Sequence, residues 1–172
     1  IDDKIGGFAP GALIVLAGRP GMGKTMMGLS VARRAAHVGV GVAFDSIEMP
    51  EEQVVHRLIA DECEAMGHPV PYFAIARGML SESQHQAVHR AYGHIKNLPL
   101  IINAKGNRLA DIPGHIRGAR RMLERQGKAL ELFIVDYLGL LRPSDRYAGN
   151  KVHEVGEISA TPSGRIRSTC TL

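Results

Sequence analysis

Apolar and polar positions alternate on two length scales along the 172 residues. Four short apolar runs, 13–17, 40–44, 99–103 and 132–136, are separated by longer segments of helical period. Leu13-Ile14-Val15-Leu16-Ala17 has the unbroken apolar character of a strand buried on both faces. The segment that follows predicts a helix in which Met27, Val31, Ala35 and Val38 share one stripe, stopped by Gly39. Pro50 suits the first turn of a second helix, whose buried face is Val55, Leu58, Ile59, Cys63 and Met66. After a break over Gly67 to Pro71, Ser81-Glu82-Ser83-Gln84 has the spacing of a capping box. Ala87, Val88, Ala91, Tyr92 and Ile95 line the helix it opens. Asp111 is placed to cap a fourth helix, with Ile112, Ile116, Ala119 and Leu123 inward and Gly127 at its end.

Strands and helices in this order predict an α/β fold, a mainly parallel sheet flanked by helices on both faces. The pattern stops after Ile158. Thr161–Leu172 (TPSGRIRSTCTL) has no periodicity, so the strand that should follow is expected to be missing. The length suits one domain with a real core. Apolar residues make up 45% and charged residues 22% of the chain, ordinary for a globular fold. No apolar run approaches the roughly 18 residues of a membrane span, and no signal peptide is visible. The chain does not begin with Met and reads as processed or as part of something longer. A net charge of +4 permits a polyanionic partner without demanding one. Cys63 and Cys170 lack metal-like spacing and fit free thiols in a cytosolic protein.

The chemistry begins at Gly18-Arg19-Pro20-Gly21-Met22-Gly23-Lys24-Thr25. These residues fit G-x-x-x-x-G-K-[ST] directly between a predicted strand and a predicted helix. Glycines let the backbone curl so that its N–H groups cradle phosphate, and the helix N-terminus adds favourable partial charge. Lys24 would reach the β- and γ-phosphates, and Thr25 would ligate Mg²⁺. Asp136 ends the apolar strand LFIVD, as a second metal acid or as the cap of a strand-to-loop turn. Glu48, just after the second strand, suits a base for an attacking water, or an acid favoured by the following helix dipole. Asp45 is a weaker rival for the same task.

Other groups point less sharply. His85 and His89 at i, i+4, with His94 beyond, lack a further committed zinc ligand and read as a solvated helix face. Arg117, Arg120, Arg121 and Arg125 read as the outer face of the fourth helix. Arg142, Arg146 and Lys151 form a basic loop beyond Asp136, either an ordinary polar surface or a grip on a nucleic-acid backbone.

Taken in order, PGALIVLAGRPGMGKT, FDSIEMPEEQVVHRLIAD and LFIVDYLGLL resemble the C-terminal motor domain of DnaB-type replicative helicases, and HEVGEIS resembles that family's next helix. The resemblance covers residues 1–159. It implies a RecA-like P-loop fold, hydrolysis of ATP with Mg²⁺, and a homo-hexameric ring moving on single-stranded DNA. Primase or a helicase loader would be further partners, in the cytoplasm of a bacterium or from a phage, with no membrane association. By position it makes Lys24 the phosphate lysine, Thr25 and Asp136 the metal residues and Glu48 the catalytic glutamate. Arg142, Arg146 and Lys151 fall in its first DNA-binding loop.

The family's N-terminal domain is absent from the sequence. So are its sensor glutamine, its second DNA loop and its arginine finger. Residues 1–159 are therefore expected to form a partial core. Residues 160–172 are expected to be a disordered or foreign tail, from a frameshift, an early stop or a cloning scar. The leading reading is a truncated motor that binds ATP–Mg²⁺ and hydrolyses it poorly. The alternatives are a stand-alone RecA-like ATPase with a regulatory or loader role, or a non-catalytic interaction fragment.

Overall fold

The computed structural model describes residues 7–9, 11–19, 21–104, 111–136 and 168–171. The strands are β1 (Ala12–Val15), β2 (Gly41–Ser46), β3 (Leu100–Asn103), β4 (Leu130–Asp136) and β5 (Ser168–Thr171). The helices are α1 (Lys24–His37), α2 (Glu51–Ala65), α3 (Tyr72–Arg77), α4 (Glu82–Lys96) and α5 (Ile112–Arg125). All strand pairs are parallel, in the order β1-β5-β4-β2-β3.

Side-chain alternation along the central strands divides the core into two layers. Val42, Phe44, Leu132 and Ile134 pack with Leu29, Ala32 and Ala36 of α1 on one face. Ala43, Phe133 and Val135 pack with Ile112, Ala119 and Leu123 of α5 on the other. A third cluster, including Ile59, Cys63, Ala74, Ile75, Ala87 and Ala91, joins α2, α3 and α4 outside α1.

The capping box of α4 forms as its spacing predicts. Ser81 Oγ accepts from the Gln84 amide over 3.3 Å, and the Ser81 amide donates to Gln84 Oε1 over 2.9 Å. Asp111 stands at the N-cap of α5, but its side chain makes no capping bond there.

Three sequence expectations need correcting. The missing fifth strand is present: residues 168–171 fill the slot between β1 and β4 and pair with both. A four-residue polar segment gives no pattern to read, and the two flanking ladders supply its backbone partners. Second, β1 is not buried on both faces. Ile14 packs against the α1-side cluster, while Leu13 and Val15 are 46% and 61% exposed. Among the described residues it is an edge strand, and α5 packs chiefly on β2, β3 and β4. Third, the buried stripe of α1 is Leu29, Ala32, Arg33 and Ala36. Val31 and Ala35 are only partly buried, and Met27 and Val38 are exposed. The helix is rotated because Arg33 turns inward to a carboxylate on α2.

That carboxylate is Glu62, buried on α2. It accepts from Arg33 Nη1 at 2.9 Å and bonds His37 Nε2 at 2.9 Å and His94 Nδ1 at 3.1 Å, tying α1, α2 and α4 together. Arg33 Nε also reaches Asp61. Burial works to raise the Glu62 pKa, but the two histidines and Arg33 outweigh it and hold the group below its ordinary value. His94 is thus tied to the helical layer and does more than decorate a solvated face. His85 and His89 are exposed.

Candidate nucleotide site

The loop between β1 and α1 turns on two glycines with positive φ, Gly21 at 80° and Gly23 at 79°. Only glycine adopts this region at little cost, and Gly23 is also the N-cap of α1. The Met22 amide donates to the Arg19 carbonyl across the turn. Lys24 and Thr25 therefore lie in the first turn of α1, where unpaired amides and the helix dipole favour an anion. Lys24 Nζ donates to the Gly18 carbonyl over 3.0 Å, which folds its side chain back over the loop. A cleft of about 370 Å³ opens here, lined by Arg19, residues 21–26, Glu48, Met49 and Arg57.

Strand alternation turns Asp136 toward the α1 side of the sheet. Val135 faces α5, so Asp136 faces α1 and Thr25. It is 1% exposed, and neither carboxylate oxygen has a hydrogen-bond partner. Burial pushes its pKa up. The nearby Thr25 hydroxyl lowers it without completing a hydrogen bond, Glu48 raises it, and Lys24 and Arg57 lower it. A buried carboxylate with two orphan oxygens beside a threonine hydroxyl suits a hard divalent cation, which prefers oxygen ligands.

Glu48 is exposed on the cleft rim. Its loop is fixed from both sides. The Ile47 amide donates to the Asp136 carbonyl over 2.7 Å. Ser46 Oγ donates to the Met49 carbonyl over 2.9 Å and accepts from the Met49 amide over 3.1 Å.

Asp45 has a different setting. Alternation sends it to the α5 face, where Oδ2 meets His115 Nδ1 at 2.7 Å. Asn103 Nδ2 is 2.8 Å from the same ring nitrogen. Burial pushes the Asp45 pKa up, and His115 and Asn103 offset this in part. The structure thus separates Asp45 from the cleft and brings Lys24, Thr25, Glu48 and Asp136 together. Pro20, Arg142, Arg146 and Lys151 lie outside the described residues.

Sequence reasoning missed Ser46 and Arg57. Arg57 does carry a local signal: a charged residue between Val54 and Leu58, both fully buried on α2.

Residues 1–162 match the family model described as DnaB-like helicase C terminal domain. The chain is 33% identical over 168 residues to the replicative DNA helicase DnaB of Nostoc sp., covering 97% of this chain and 18% of that protein. It is 32% identical over 164 residues to the replicative DNA helicase DnaC of Bacillus subtilis, covering 92% of this chain and 33% of that protein. The chain thus spans a fifth to a third of the length of these curated relatives. Among solved structures, a DnaB-like replicative helicase, solved in a study of its interactions with primase, superposes with a TM-score of 0.78 at 23% identity, over 96% of this chain and 40% of that one. A second solved structure, of an ATPase domain, gives 0.80 at 24% identity, over 96% and 58%. At these identities the superpositions establish the fold.

Proposed function

The chain belongs to the DnaB-like helicase C-terminal domain family, and from that premise we propose that it is the ATP-binding motor of a replicative DNA helicase. The observation that carries the reading is one cleft lined by Lys24, Thr25 and Glu48, with the orphaned Asp136 carboxylate buried within electrostatic reach of all three. The amides of the 21–25 loop and the Lys24 ammonium hold the phosphates of ATP. Thr25 and Asp136 hold Mg²⁺, which supplies charge neutralisation at the β- and γ-phosphate oxygens. Glu48, on its pinned loop, orients a water and accepts its proton. The energy of hydrolysis drives movement along single-stranded DNA, with Arg142, Arg146 and Lys151 as backbone contacts. The working form is a homo-hexamer in the cytoplasm, engaging primase or a loader.

Thermal unfolding with and without MgATP tests the reading. MgATP should raise the melting temperature, and Lys24→Ala should remove that shift. Single-stranded DNA should then accelerate turnover. No shift at saturating MgATP overturns the motor and leaves an interaction fragment. A shift with turnover indifferent to DNA favours a stand-alone ATPase.

A further inference from the structure

Arg57, on α2, lines the cleft together with Glu48, Met49 and the glycine loop. Its guanidinium carbon lies 4.5 Å from the centroid of the Tyr72 ring, at the start of α3. Stacking of this kind fixes the plane of the guanidinium and leaves its edge N–H groups to find acceptors. Its Nε is buried and has no hydrogen-bond partner among the described residues. No described carboxylate forms an ion pair with it. Asp61 and Glu62, further along the same helix, are both engaged by Arg33. An arginine fork held flat, desolvated at Nε and open to a cleft is built for an anion.

We propose that Arg57 contacts the terminal phosphate of the bound nucleotide and makes the cleft distinguish nucleoside triphosphate from diphosphate. The inference rests on the nucleotide reading above. The assignment to the terminal phosphate follows from position. Arg57 lines the cleft together with Glu48, the group read as orienting the attacking water, and that water must stand next to the terminal phosphate. Tyr72 is the positioning residue, acting through the guanidinium plane.

The test is equilibrium binding of ADP and of a non-hydrolysable ATP analogue, each with Mg²⁺, to the full 172-residue chain. Arg57→Ala should weaken the triphosphate analogue roughly 10- to 100-fold, the range of one charge-assisted hydrogen-bonded contact. ADP affinity should be unchanged. Arg57→Lys should recover part of the difference, since charge remains and the fork is lost. Tyr72→Leu should fall between the two. Equal weakening of both nucleotides, or of neither, overturns the proposal. If Arg57→Ala does not fold, Arg57→Lys and Tyr72→Leu decide by the same ratio: unchanged selectivity in both overturns it. Lys24→Ala separates the two layers of the argument. Loss of both nucleotides there upholds the site, whereas no effect there removes the nucleotide reading itself.

Discussion

The amide of Ile47 donates to the carbonyl of Asp136 over 2.7 Å, so the loop that carries Glu48 and the strand that ends in Asp136 are hydrogen-bonded neighbours. Two carboxylates with different tasks are thereby held in a fixed relation by main chain, which no side-chain substitution removes. What a substitution can remove is the second restraint on the loop.

Ser46→Ala deletes both bonds to Met49 while leaving the Ile47 anchor in place. The Glu48 loop should loosen, and turnover should fall roughly 10-fold with nucleotide affinity little changed, because misplaced catalytic groups cost rate before binding. Steady-state kinetics on the Ser46→Ala and Ser46→Thr variants checks this. An affinity loss matching the rate loss would show that Ser46 supports the cleft as a whole.

Asp136→Asn should make the protein more stable and less active at once. The folded-state pKa of Asp136 is raised, so its charged form is disfavoured by folding. The sign follows: the stability of the protonated form is present below the unfolded pKa and lost as pH rises through the folded one. At neutral pH the native carboxylate is therefore a burden that an amide relieves. The melting temperature without metal should rise, and Mg²⁺-dependent nucleotide affinity should drop. A lower melting temperature would mean that Asp136 is satisfied in the fold.

Glu62 has the opposite sign. Its pKa is lowered on folding, so its contribution is present above the ordinary glutamate value and is lost as pH falls through the folded value. Glu62→Gln should cost about 2–3 kcal/mol at neutral pH, since Arg33 loses one of its two carboxylates inside the helical layer. It should also flatten the loss of stability on acidification below neutrality. Urea unfolding at a series of pH values reads both effects. An unchanged pH slope would separate Glu62 from acid sensitivity.

Gly41 begins β2 where the β2–β4 register shifts, and any Cβ there would collide with the Ala129 backbone carbonyl. Gly41→Ala should destabilise the protein by about 3 kcal/mol, because backbone rather than a flexible side chain must move. Denaturant midpoints test this, with Gly118→Ala on α5 as a control that meets no atom within 4 Å.

The parts of the site that the sequence announces are those encoded by local spacing. The loop 18–25, the acid closing an apolar strand and the Ser81–Gln84 box each need only a few consecutive residues. Arg57 and Glu62 escaped because their partners come from separate elements and depend on how α1, α2, α3 and α4 pack, whereas the Ser46–Met49 pair is local and was simply missed. Asp45 is a rival to Glu48 in FDSIEMP, if a weaker one. They are separated by strand alternation, which sends Asp45 to His115 and leaves Glu48 on the cleft rim. Residues 168–171 escaped for another reason. Their strand state comes from the slot they fill, which propensity cannot anticipate.

That slot bears on the order of assembly. Among the described residues, β1 is hydrogen-bonded to the rest of the sheet only through β5. The glycine loop begins at its end, so the phosphate-binding half is hydrogen-bonded to the Asp136 half through a strand encoded far downstream. Closing so long a loop is entropically slow. The strands β2, β3 and β4, with α1 and α5, can associate first, and the join between loop and metal acid forms last. Nucleotide affinity should therefore appear late in refolding, after most of the helical signal, and capture of nucleotide would be a timer for the final step.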